Sequence, residues 1–346
     1  MKNRAAFMTA IDRIEIREVP MPIALDNQVI VKMEYVGICG SDAHYFHDGR
    51  CGDYVVHGDF ILGHECAGTV VETGKNVKSL KIGDRVALEP GITCGQCEFC
   101  KTGRYNLCPD VQFLATPPVQ GCYESYIAFP ENMSFKLPDD ISTKEGALIE
   151  PLSVGMHAAG QGKVKLGDSV VILGAGCIGL VTLLSCKAFG ATDITVVDVE
   201  QKRLDYAMKL GATRVINARR KDTVAEMEAL TNGTGTEKVF EAAGSPVTIA
   251  QTPYLVKRGG IVILVGLSAQ EKIEYNFAKI MAKEATIKSV FRYRNIYPRA
   301  IAAVANGKIK ISGIITHEFN FDEIQKAFDC VIHNKNEVVK AVIKID

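Results

Sequence analysis

The chain has 346 residues, 47% of them hydrophobic and 23% charged, a length and composition typical of a globular protein with two domains. Its 40 lysine and arginine residues balance its 40 aspartate and glutamate residues, which excludes a general electrostatic attraction to nucleic acid or to an anionic membrane. No apolar run approaches the roughly 20 residues that cross a bilayer, and the N-terminus lacks the apolar core of a secretory signal, so we expect a cytoplasmic protein without nucleic-acid or membrane partners.

The N-terminal part of the chain is rich in short β-forming segments that glycine and proline interrupt. Such segments lie at 27–39, 67–74 and 82–91. Close spacing of this kind is typical of a β-barrel-like or irregular β domain. We therefore predict a β-rich domain before residue 154.

Four cysteines between Cys94 and Cys108 have the spacing C-x2-C-x2-C-x7-C. Each C-x2-C turn can direct two thiolates at one tetrahedral ion, and a metal would supply cohesion to 91–109, which has little apolar periodicity. A bacterial ferredoxin run is C-x2-C-x2-C-x3-C-P, but the last gap here is seven residues rather than three. An odd total of eleven cysteines without an export signal argues against disulfides. The spacing favours a structural zinc over an iron–sulfur cluster, with four predicted ligands: Cys94, Cys97, Cys100 and Cys108.

After Glu150 strands and helices alternate, which predicts a parallel doubly wound sheet over roughly 154–290. Within it, G-x-G-x-x-G follows an apolar strand and opens a helix at Gly174, Gly176 and Gly179. In that order, the glycines permit a tight turn, the approach of a pyrophosphate to a helix N-terminus, and packing of the helix on the strand. This context predicts a dinucleotide site.

Asp198 ends the strand that follows the glycine motif. Its carboxylate can accept hydrogen bonds from ribose hydroxyls and would repel a 2′-phosphate, which favours NAD over NADP. Arg203, five residues further on, tempers this preference slightly. The predicted cofactor-binding residues are Gly174, Gly176, Cys177, Ile178, Gly179, Asp198 and Arg203.

The residues after 290 are predicted to form two helices and a final strand. This tail is too short for a separate domain, so we expect it to complete the first one. The predicted domains are 1–153 together with 291–346, carrying the cysteine lobe at 91–109, and 154–290.

Three separated stretches carry residue types that bind zinc: Cys39 in "VGICGSDAHYF", His64 and Glu65 in "ILGHECAG", and Glu150 in "ALIEPLSVG". Cysteine, histidine and carboxylate side chains can together hold zinc with one coordination position open. Beside a nicotinamide, an open zinc lowers the pKa of a substrate hydroxyl and stabilises the alkoxide that gives up hydride. The combination of the three stretches supports this hypothesis, whereas each residue alone is more often an ordinary polar or buried one.

Several motifs resemble those of the zinc-dependent medium-chain dehydrogenase/reductase superfamily, namely "GHECAGTVVETG", "GDRVALEPG" and the cysteine lobe. "GICGSDAHYF", "GRYNLCP", "ATPP", "GALIEPLSVGMHA" and "VFRYRN" resemble its polyol branch, the sorbitol (L-iditol) and xylitol dehydrogenases. The resemblance covers nearly the whole chain. It implies an α/β protein with a GroES-like β-rich catalytic domain wrapped around a Rossmann doubly wound parallel-sheet domain, an active site in the cleft between them, and a homo-tetramer.

The resemblance also implies the catalytic metal ligands. Cys39, His64 and Glu65 would hold a zinc whose shell a water completes. Alcohol dehydrogenases of the superfamily supply a second cysteine where this chain has Glu150, which would bind the metal directly or through the water. Several animal sorbitol dehydrogenases have lost the cysteine lobe, whereas this chain has all four of its cysteines. In this respect it resembles the two-zinc bacterial or fungal-type polyol dehydrogenases.

Proton-transfer and substrate-binding residues follow from the same resemblance. Ser41 resembles the hydroxyl that passes the proton toward solvent, with His44 or Tyr45 nearby, and Glu150 belongs to the same catalytic group. Substrate contacts are implied for six residues: Tyr45, Phe113, Thr116, Glu150, Arg292 and Tyr293.

The leading hypothesis is a dehydrogenase that uses two zinc ions per chain and NAD to oxidise a secondary hydroxyl of a sugar alcohol, such as sorbitol, L-iditol or xylitol, to a ketose. One alternative is a dehydrogenase of another secondary alcohol, L-threonine or 2,3-butanediol. A second is a zinc-braced NAD-binding protein without catalysis. A zinc-ribbon nucleic-acid module is disfavoured because the cysteine loop lacks a basic, aromatic-rich surround.

Overall fold

The computed structural model describes residues 2–345, which form two compact units. The second unit comprises Pro151–Ile296 and Lys308–Ile314, and the first unit comprises the remaining described residues. These units differ from the predicted domains near each boundary, most clearly at 308–314, which belongs to the second unit. The turn Ile311–Ile314 packs against the helix Cys177–Phe189 of the second unit, which accounts for this assignment.

The strands are numbered in chain order. They are β1 (Asn3–Ala10), β2 (Arg13–Val19), β3 (Gln28–Gly37), β4 (Arg50–Cys51), β5 (Tyr54–Val55), β6 (Phe60–Ile61), β7 (Glu65–Thr73), β8 (Arg85–Leu88), β9 (Gly91–Ile92), β10 (Gln112–Phe113), β11 (Tyr126–Pro130), β12 (Ser134–Lys136), β13 (Ser169–Leu173), β14 (Asp193–Asp198), β15 (Arg214–Asn217), β16 (Thr236–Glu241), β17 (Val256–Leu264), β18 (Thr286–Ser289), β19 (Ile315–Asn320) and β20 (Lys340–Lys344).

The α-helices are numbered in the same way. They are α1 (Gly40–Asp48), α2 (Glu98–Lys101), α3 (Thr143–Ala147), α4 (Ile149–Gln161), α5 (Cys177–Phe189), α6 (Gln201–Leu210), α7 (Thr223–Leu230), α8 (Pro246–Leu255), α9 (Phe277–Ala282), α10 (Tyr297–Ala305) and α11 (Ile324–His333). None of the helices within residues 2–345 combines the length and the apolar character needed to cross a membrane.

A mostly antiparallel sheet of seven strands forms the centre of the first unit. Its order is β12-β8-β7-β3-β20-β19, and β11 also pairs with β3. Strand β3 is the hub of this sheet because it pairs with β7, β11 and β20, and its apolar residues, among them Val29, Val31 and Met33, are buried. The β3–β7 register pairs Gly37 with Glu65, so the end of β3 lies beside the start of β7. The C-terminal strand β20 pairs with β3 on its other side.

A parallel sheet of six strands forms the second unit, in the order β15-β14-β13-β16-β17-β18. This is the order of the Rossmann fold, whose sequence reverses between its first and fourth strands, here β13 and β16. Strand β13 is almost entirely apolar and buried, as parallel strands covered on both faces require. Ligands of such sheets bind outside the carboxyl ends of the strands at this reversal, which places the dinucleotide crevice at the ends of β13 and β16.

Candidate metal and cofactor sites

A thiol, an imidazole and a carboxylate converge at the ends of β3 and β7. Cys39 follows β3 and stands at the N-cap of α1, and His64 directly precedes β7, which begins at Glu65. One ligand atom from each of these three residues lies within 4.8 Å of the others. His64 and Glu65 are buried and Cys39 is half-buried. The predicted ligands from two stretches are therefore brought together by the antiparallel register of β3 and β7.

Asp42 organises this cluster, although no sequence motif assigned it a role. Its carboxylate is fully buried and accepts hydrogen bonds from the backbone N–H groups of Cys39 (3.0 Å) and Gly63 (3.1 Å). It also lies 3.5 Å from His64 Nδ1. One side chain thus connects the two ligand-bearing segments. The available signal was an acidic residue three positions after Cys39, which forms a capping box at the start of α1.

The electrostatics of the cluster suit a cation. Burial alone would lower the pKa of His64, but the Asp42 carboxylate and the Cys39 sulfur outweigh burial and raise it well above 6.5. The same negative groups would attract a divalent metal, and thiolate, imidazole and carboxylate are the donors that zinc accepts. A carboxylate beside the imidazole is also the usual companion of a metal-binding histidine. The donor set therefore fits zinc.

Glu65 has a buried partner from the far end of the chain. Lys340 Nζ on β20 donates to both carboxylate oxygens of Glu65 at 2.8 Å and to the carbonyl oxygen of Ile38 at 2.9 Å. The side chains of Lys340 and Glu65 are only 3% and 1% exposed. The ammonium therefore fixes the Glu65 carboxylate against the residue that precedes Cys39, and no sequence motif pointed to it.

The predicted proton-transfer and substrate residues of the first unit have different surroundings. The Phe113 ring lies 5.6 Å from the His64 ring, centroid to centroid, so it borders the cluster. Tyr45 is buried on α1 next to Phe60, and burial raises its pKa. His44 is exposed on the same helix and its Nδ1 lies 2.9 Å from an oxygen of Asp48.

Glu150, Ser41 and Thr116 complete the predicted residues of the first unit. Glu150 is buried in the first turn of α4 but lies outside the set of groups that close to within 4.8 Å of one another. Ser41 is half-buried in the first turn of α1, two residues after Cys39. Thr116 is half-buried in a turn where it pairs with Val119.

The four lobe cysteines form a second cluster, and their ligand atoms lie within 4.8 Å of one another. Sulfur–sulfur distances are 3.5 Å for Cys94–Cys108, 3.5 Å for Cys97–Cys100 and 4.0 Å for Cys94–Cys100, and all four thiols are free. A tetrahedral zinc with Zn–S bonds of about 2.3 Å separates its sulfurs by about 3.8 Å. The cluster therefore has the dimensions of a closed zinc site.

A partly buried hydrogen bond joins this lobe to the central sheet. Tyr105 Oη, within the lobe, donates to Glu89 Oε1 at 2.7 Å just after β8. Burial raises the pKa of Glu89 to about 7, even though the tyrosine bond opposes this. The native protein therefore holds the Glu89 proton between pH 4.5 and 7, where the unfolded chain releases it.

Stability should accordingly fall as pH rises through this interval, because folding then favours the protonated carboxyl. We expect Glu89→Gln, which keeps an amide oxygen for Tyr105, to be more stable than the wild type at pH 8 by about 1–3 kcal/mol and equal to it near pH 4.5. Urea unfolding at both pH values measures this. An identical difference at both would contradict the assignment.

The glycine turn of the second unit has the geometry of a pyrophosphate site. Gly174 has φ +104°, and a Cβ on it would lie 2.9 Å from the backbone nitrogen of Ala243. A Cβ on Gly179 would lie 1.9 Å from the carbonyl oxygen of Gly174, so only glycine fits there. Gly176 is the N-cap of α5 and provides no side-chain cap for its first N–H groups. Helix N-termini of this kind favour the phosphate groups of nucleotides.

Asp198 and Arg203 flank this turn. Asp198 ends β14, and its oxygens accept hydrogen bonds from the backbone N–H groups of Ala175 (2.7 Å) and Glu200 (2.8 Å). A Cβ on Gly176 would lie 3.9 Å from Arg203 Nη1, so the guanidinium lies beside the turn. The other predicted cofactor residues, Cys177 and Ile178, begin α5 and are half-buried. All seven predicted cofactor residues therefore gather at one edge of the parallel sheet.

Arg292 and Tyr293 follow β18 in the second unit. Arg292 adopts a left-handed backbone with φ +54°, and its guanidinium lies 4.8 Å from the centroid of the Phe291 ring. Tyr293 is buried. A left-handed conformation is uncommon for a residue other than glycine and is often associated with function.

Comparisons with known proteins agree with this architecture. Two family models match, an alcohol dehydrogenase GroES-like domain over residues 25–139 and a zinc-binding dehydrogenase over residues 177–306. The chain is 44% identical to a sorbitol dehydrogenase of Bacillus subtilis (strain 168), covering 98% of this chain and 96% of the relative.

Two solved structures are also similar. One, an Escherichia coli oxidoreductase/dehydrogenase of unknown specificity involved in membrane biogenesis, shares 46% identity with a TM-score of 0.94 and full coverage of both chains. The other, a zinc-binding dehydrogenase of Sinorhizobium meliloti 1021 bound to NADP, shares 30% identity with a TM-score of 0.89 over 99% of each chain.

The fold and the two cysteine-containing clusters define a zinc-type alcohol dehydrogenase with a GroES-like domain and a Rossmann domain. The chain belongs to the zinc-dependent medium-chain dehydrogenase/reductase superfamily, in its polyol dehydrogenase branch. The predicted family and fold class are confirmed.

Proposed function

We propose that this protein is an NAD-dependent dehydrogenase that oxidises a secondary hydroxyl of a sugar alcohol, sorbitol, L-iditol or xylitol, to the ketose. The observation that carries the proposal is the convergence of Cys39, His64 and Glu65, whose ligand atoms lie within 4.8 Å of one another. Three protein donors of these types leave the fourth position of a tetrahedral zinc for substrate, which is the arrangement of catalytic zinc sites.

Cys39, His64 and Glu65 would hold the catalytic zinc, which as a Lewis acid supplies stabilisation of negative charge on the substrate oxygen. Asp42 keeps the imidazole and the Cys39 backbone in place through the contacts described above. Ser41, two residues from Cys39, accepts the hydroxyl proton and passes it toward solvent. His44 or Tyr45 continues that path. Glu65 would bind the zinc directly, and Glu150 would act on it through a water.

Substrate recognition is proposed for six residues. Phe113 borders His64, and a polyol chain needs hydrogen-bond partners of the kind that an arginine and a tyrosine provide. The proposed substrate contacts are Tyr45, Phe113, Thr116, Glu150, Arg292 and Tyr293.

A second zinc, held by the lobe cysteines, would brace the first unit, and we propose a homo-tetramer.

NAD is the proposed cofactor because a carboxylate at the end of β14, here that of Asp198, can accept hydrogen bonds from ribose hydroxyls and would repel a 2′-phosphate. The guanidinium of Arg203 beside the glycine turn moderates this preference, and a relative of known structure binds NADP. Each Asp198 oxygen uses one lone pair on a backbone N–H and keeps another for a ribose hydroxyl.

We expect Asp198→Ala to reduce the preference for NAD over NADP by about 10- to 100-fold, since a charged hydrogen bond and a phosphate repulsion are lost together. The ratio of kcat/KM for the two cofactors measures this. Asp193→Ala, at the opposite end of β14, serves as the control and should leave the ratio unchanged. An unaltered ratio in Asp198→Ala would mean that this carboxylate does not reach the ribose.

The proposed reaction is tested by absorbance at 340 nm with NAD and a panel of sugar alcohols, together with L-threonine and 2,3-butanediol. NADH formation with sorbitol, L-iditol or xylitol supports the proposal. Activity on threonine or butanediol alone would assign the chain to another secondary alcohol. Tight NAD binding with no turnover on the whole panel would instead indicate a binding protein. A metal analysis should give two zinc ions per chain.

A further inference from the structure

Glu241 is a buried carboxylate in the second unit that the mechanism above does not use. It ends β16, its exposure is 0%, and its Oε1 accepts hydrogen bonds from the N–H groups of Ala243 (3.0 Å) and Gly244 (3.0 Å) and from Thr248 Oγ1 (2.8 Å). Its carbonyl oxygen accepts from the N–H groups of Val265 and Gly266. The residue therefore binds the turn after β16 and the turn after β17 at once.

Close backbone contacts show how tightly these turns meet. A Cβ built on Gly266 would lie 2.3 Å from the Gly244 nitrogen and 2.9 Å from Glu241 Oε2. A Cβ on Gly244, whose φ is +65°, would lie 2.3 Å from the Leu267 carbonyl oxygen. The turn after β16 also touches the pyrophosphate turn, because a Cβ on Gly174 would meet Ala243. The turns after β13, β16 and β17 thus pack against one another around the Glu241 carboxylate, at one edge of the sheet.

The position of this edge in the sheet assigns it to one half of the cofactor. A Rossmann sheet consists of two mononucleotide-binding halves that meet where the strand order reverses. Asp198 ends β14 in the half formed by β13, β14 and β15, the half that takes the adenosine ribose. Glu241 ends β16, across the reversal from β13, in the half that takes the other nucleotide.

We propose that Glu241 is a positioning residue for the nicotinamide half of the cofactor. Its carboxylate holds the turns at 242–245 and 265–267 in the conformation that walls the nicotinamide end of the crevice, and its effect reaches the cofactor through their backbone. The inference rests on the proposed use of a nicotinamide dinucleotide, and it adds a determinant of where the reactive ring lies.

The test compares two ligands that differ only at the nicotinamide end. Binding of NADH is followed by its fluorescence and binding of ADP-ribose by calorimetry, for the holoenzyme and for Glu241→Ala, Glu241→Gln and Glu237→Ala. Glu237 is on the same strand near its amino end, where it binds Ser169 and Lys257, and is the matched control. Thermal unfolding of each variant is recorded alongside.

We expect Glu241→Ala to weaken NADH binding about 10-fold or more and to change ADP-ribose binding less than about threefold, because one half of the crevice loses its support. Glu241→Gln, whose amide oxygen can keep the bonds at Oε1, should recover most of the NADH affinity. Glu237→Ala should alter neither ligand.

Equal weakening of both ligands in Glu241→Ala, or none, would overturn the inference, as would failure of Glu241→Gln to recover NADH binding. If Glu241→Ala does not fold, Thr248→Val takes its place, because it removes the hydroxyl that donates to Glu241 Oε1. It should weaken NADH binding and leave ADP-ribose binding unchanged, and equal effects on the two ligands, or none, would overturn the inference. If the wild type binds NADH and the variants differ as expected, but the wild type oxidises no alcohol on the panel, only the proposed function is refuted. Wild-type protein that binds no NADH would refute both.

Discussion

Cys39→Ser is expected to abolish alcohol oxidation, lowering kcat at least about 1,000-fold, while NADH binding stays within about twofold of wild type. A serine hydroxyl remains protonated near pH 7 and is a poor substitute for a thiolate ligand, so the Lewis acid contribution of several kcal/mol would be lost. NADH binding should persist because all seven predicted cofactor residues belong to the second unit, whereas Cys39 belongs to the first.

Zinc content, steady-state rates and NADH fluorescence together measure this outcome. Cys330→Ser is the matched control, since Cys330 is a half-buried free cysteine on α11 of the same unit. It should retain two zinc ions and full turnover, and Cys39→Ser should retain one zinc ion, in the cysteine lobe. If Cys39→Ser lost NADH binding but kept its turnover per bound cofactor, the assignment of Cys39 to the catalytic metal would be wrong.

Lys340→Met is expected to destabilise the zinc-free protein by about 3–5 kcal/mol and, in the zinc-loaded protein, to accelerate zinc release from the catalytic site. Removing one member of a buried ion pair leaves the other charge uncompensated, and a penalty of this size follows. Here the remaining charge would be that of Glu65, whose carboxylate would lose the donor that fixes both of its oxygens.

Two measurements separate the effects on stability and on the metal. Urea unfolding gives the free energy of unfolding, and a coloured chelator reports the rate of zinc loss. Lys344→Met is the control, because Lys344 ends the same strand β20 and its side chain is exposed. The double variant Lys340→Met with Glu65→Met should regain stability while binding zinc poorly. Unchanged stability and unchanged zinc release in Lys340→Met would refute the role of the ion pair.

The cysteine lobe and the glycine turn were predictable because the residues of each motif lie close together in the sequence. The cysteine lobe needs only the loop from Cys94 to Cys108, whose sulfurs meet within one turn-rich segment. The glycine turn and Asp198 lie in one strand–helix–strand unit, so their proximity follows from the alternating pattern itself. The α/β class and the parallel sheet followed from the same alternation. Helix α1, however, was not predicted, since "GSDAHYFHD" has no clear apolar stripe.

The sequence by itself determined the family, the two kinds of domain, the four-cysteine cluster and the dinucleotide turn, since each depends on residues close together in the chain. Only the tertiary structure decided which partners surround Glu65 and what Asp42 and Glu241 do. Lys340 reaches Glu65 across 275 positions of sequence because β20 pairs with β3, a neighbour relation that no periodicity encodes. Glu241 acquires its partners where three turns converge at the reversal of strand order, and that convergence arises only when the sheet is assembled.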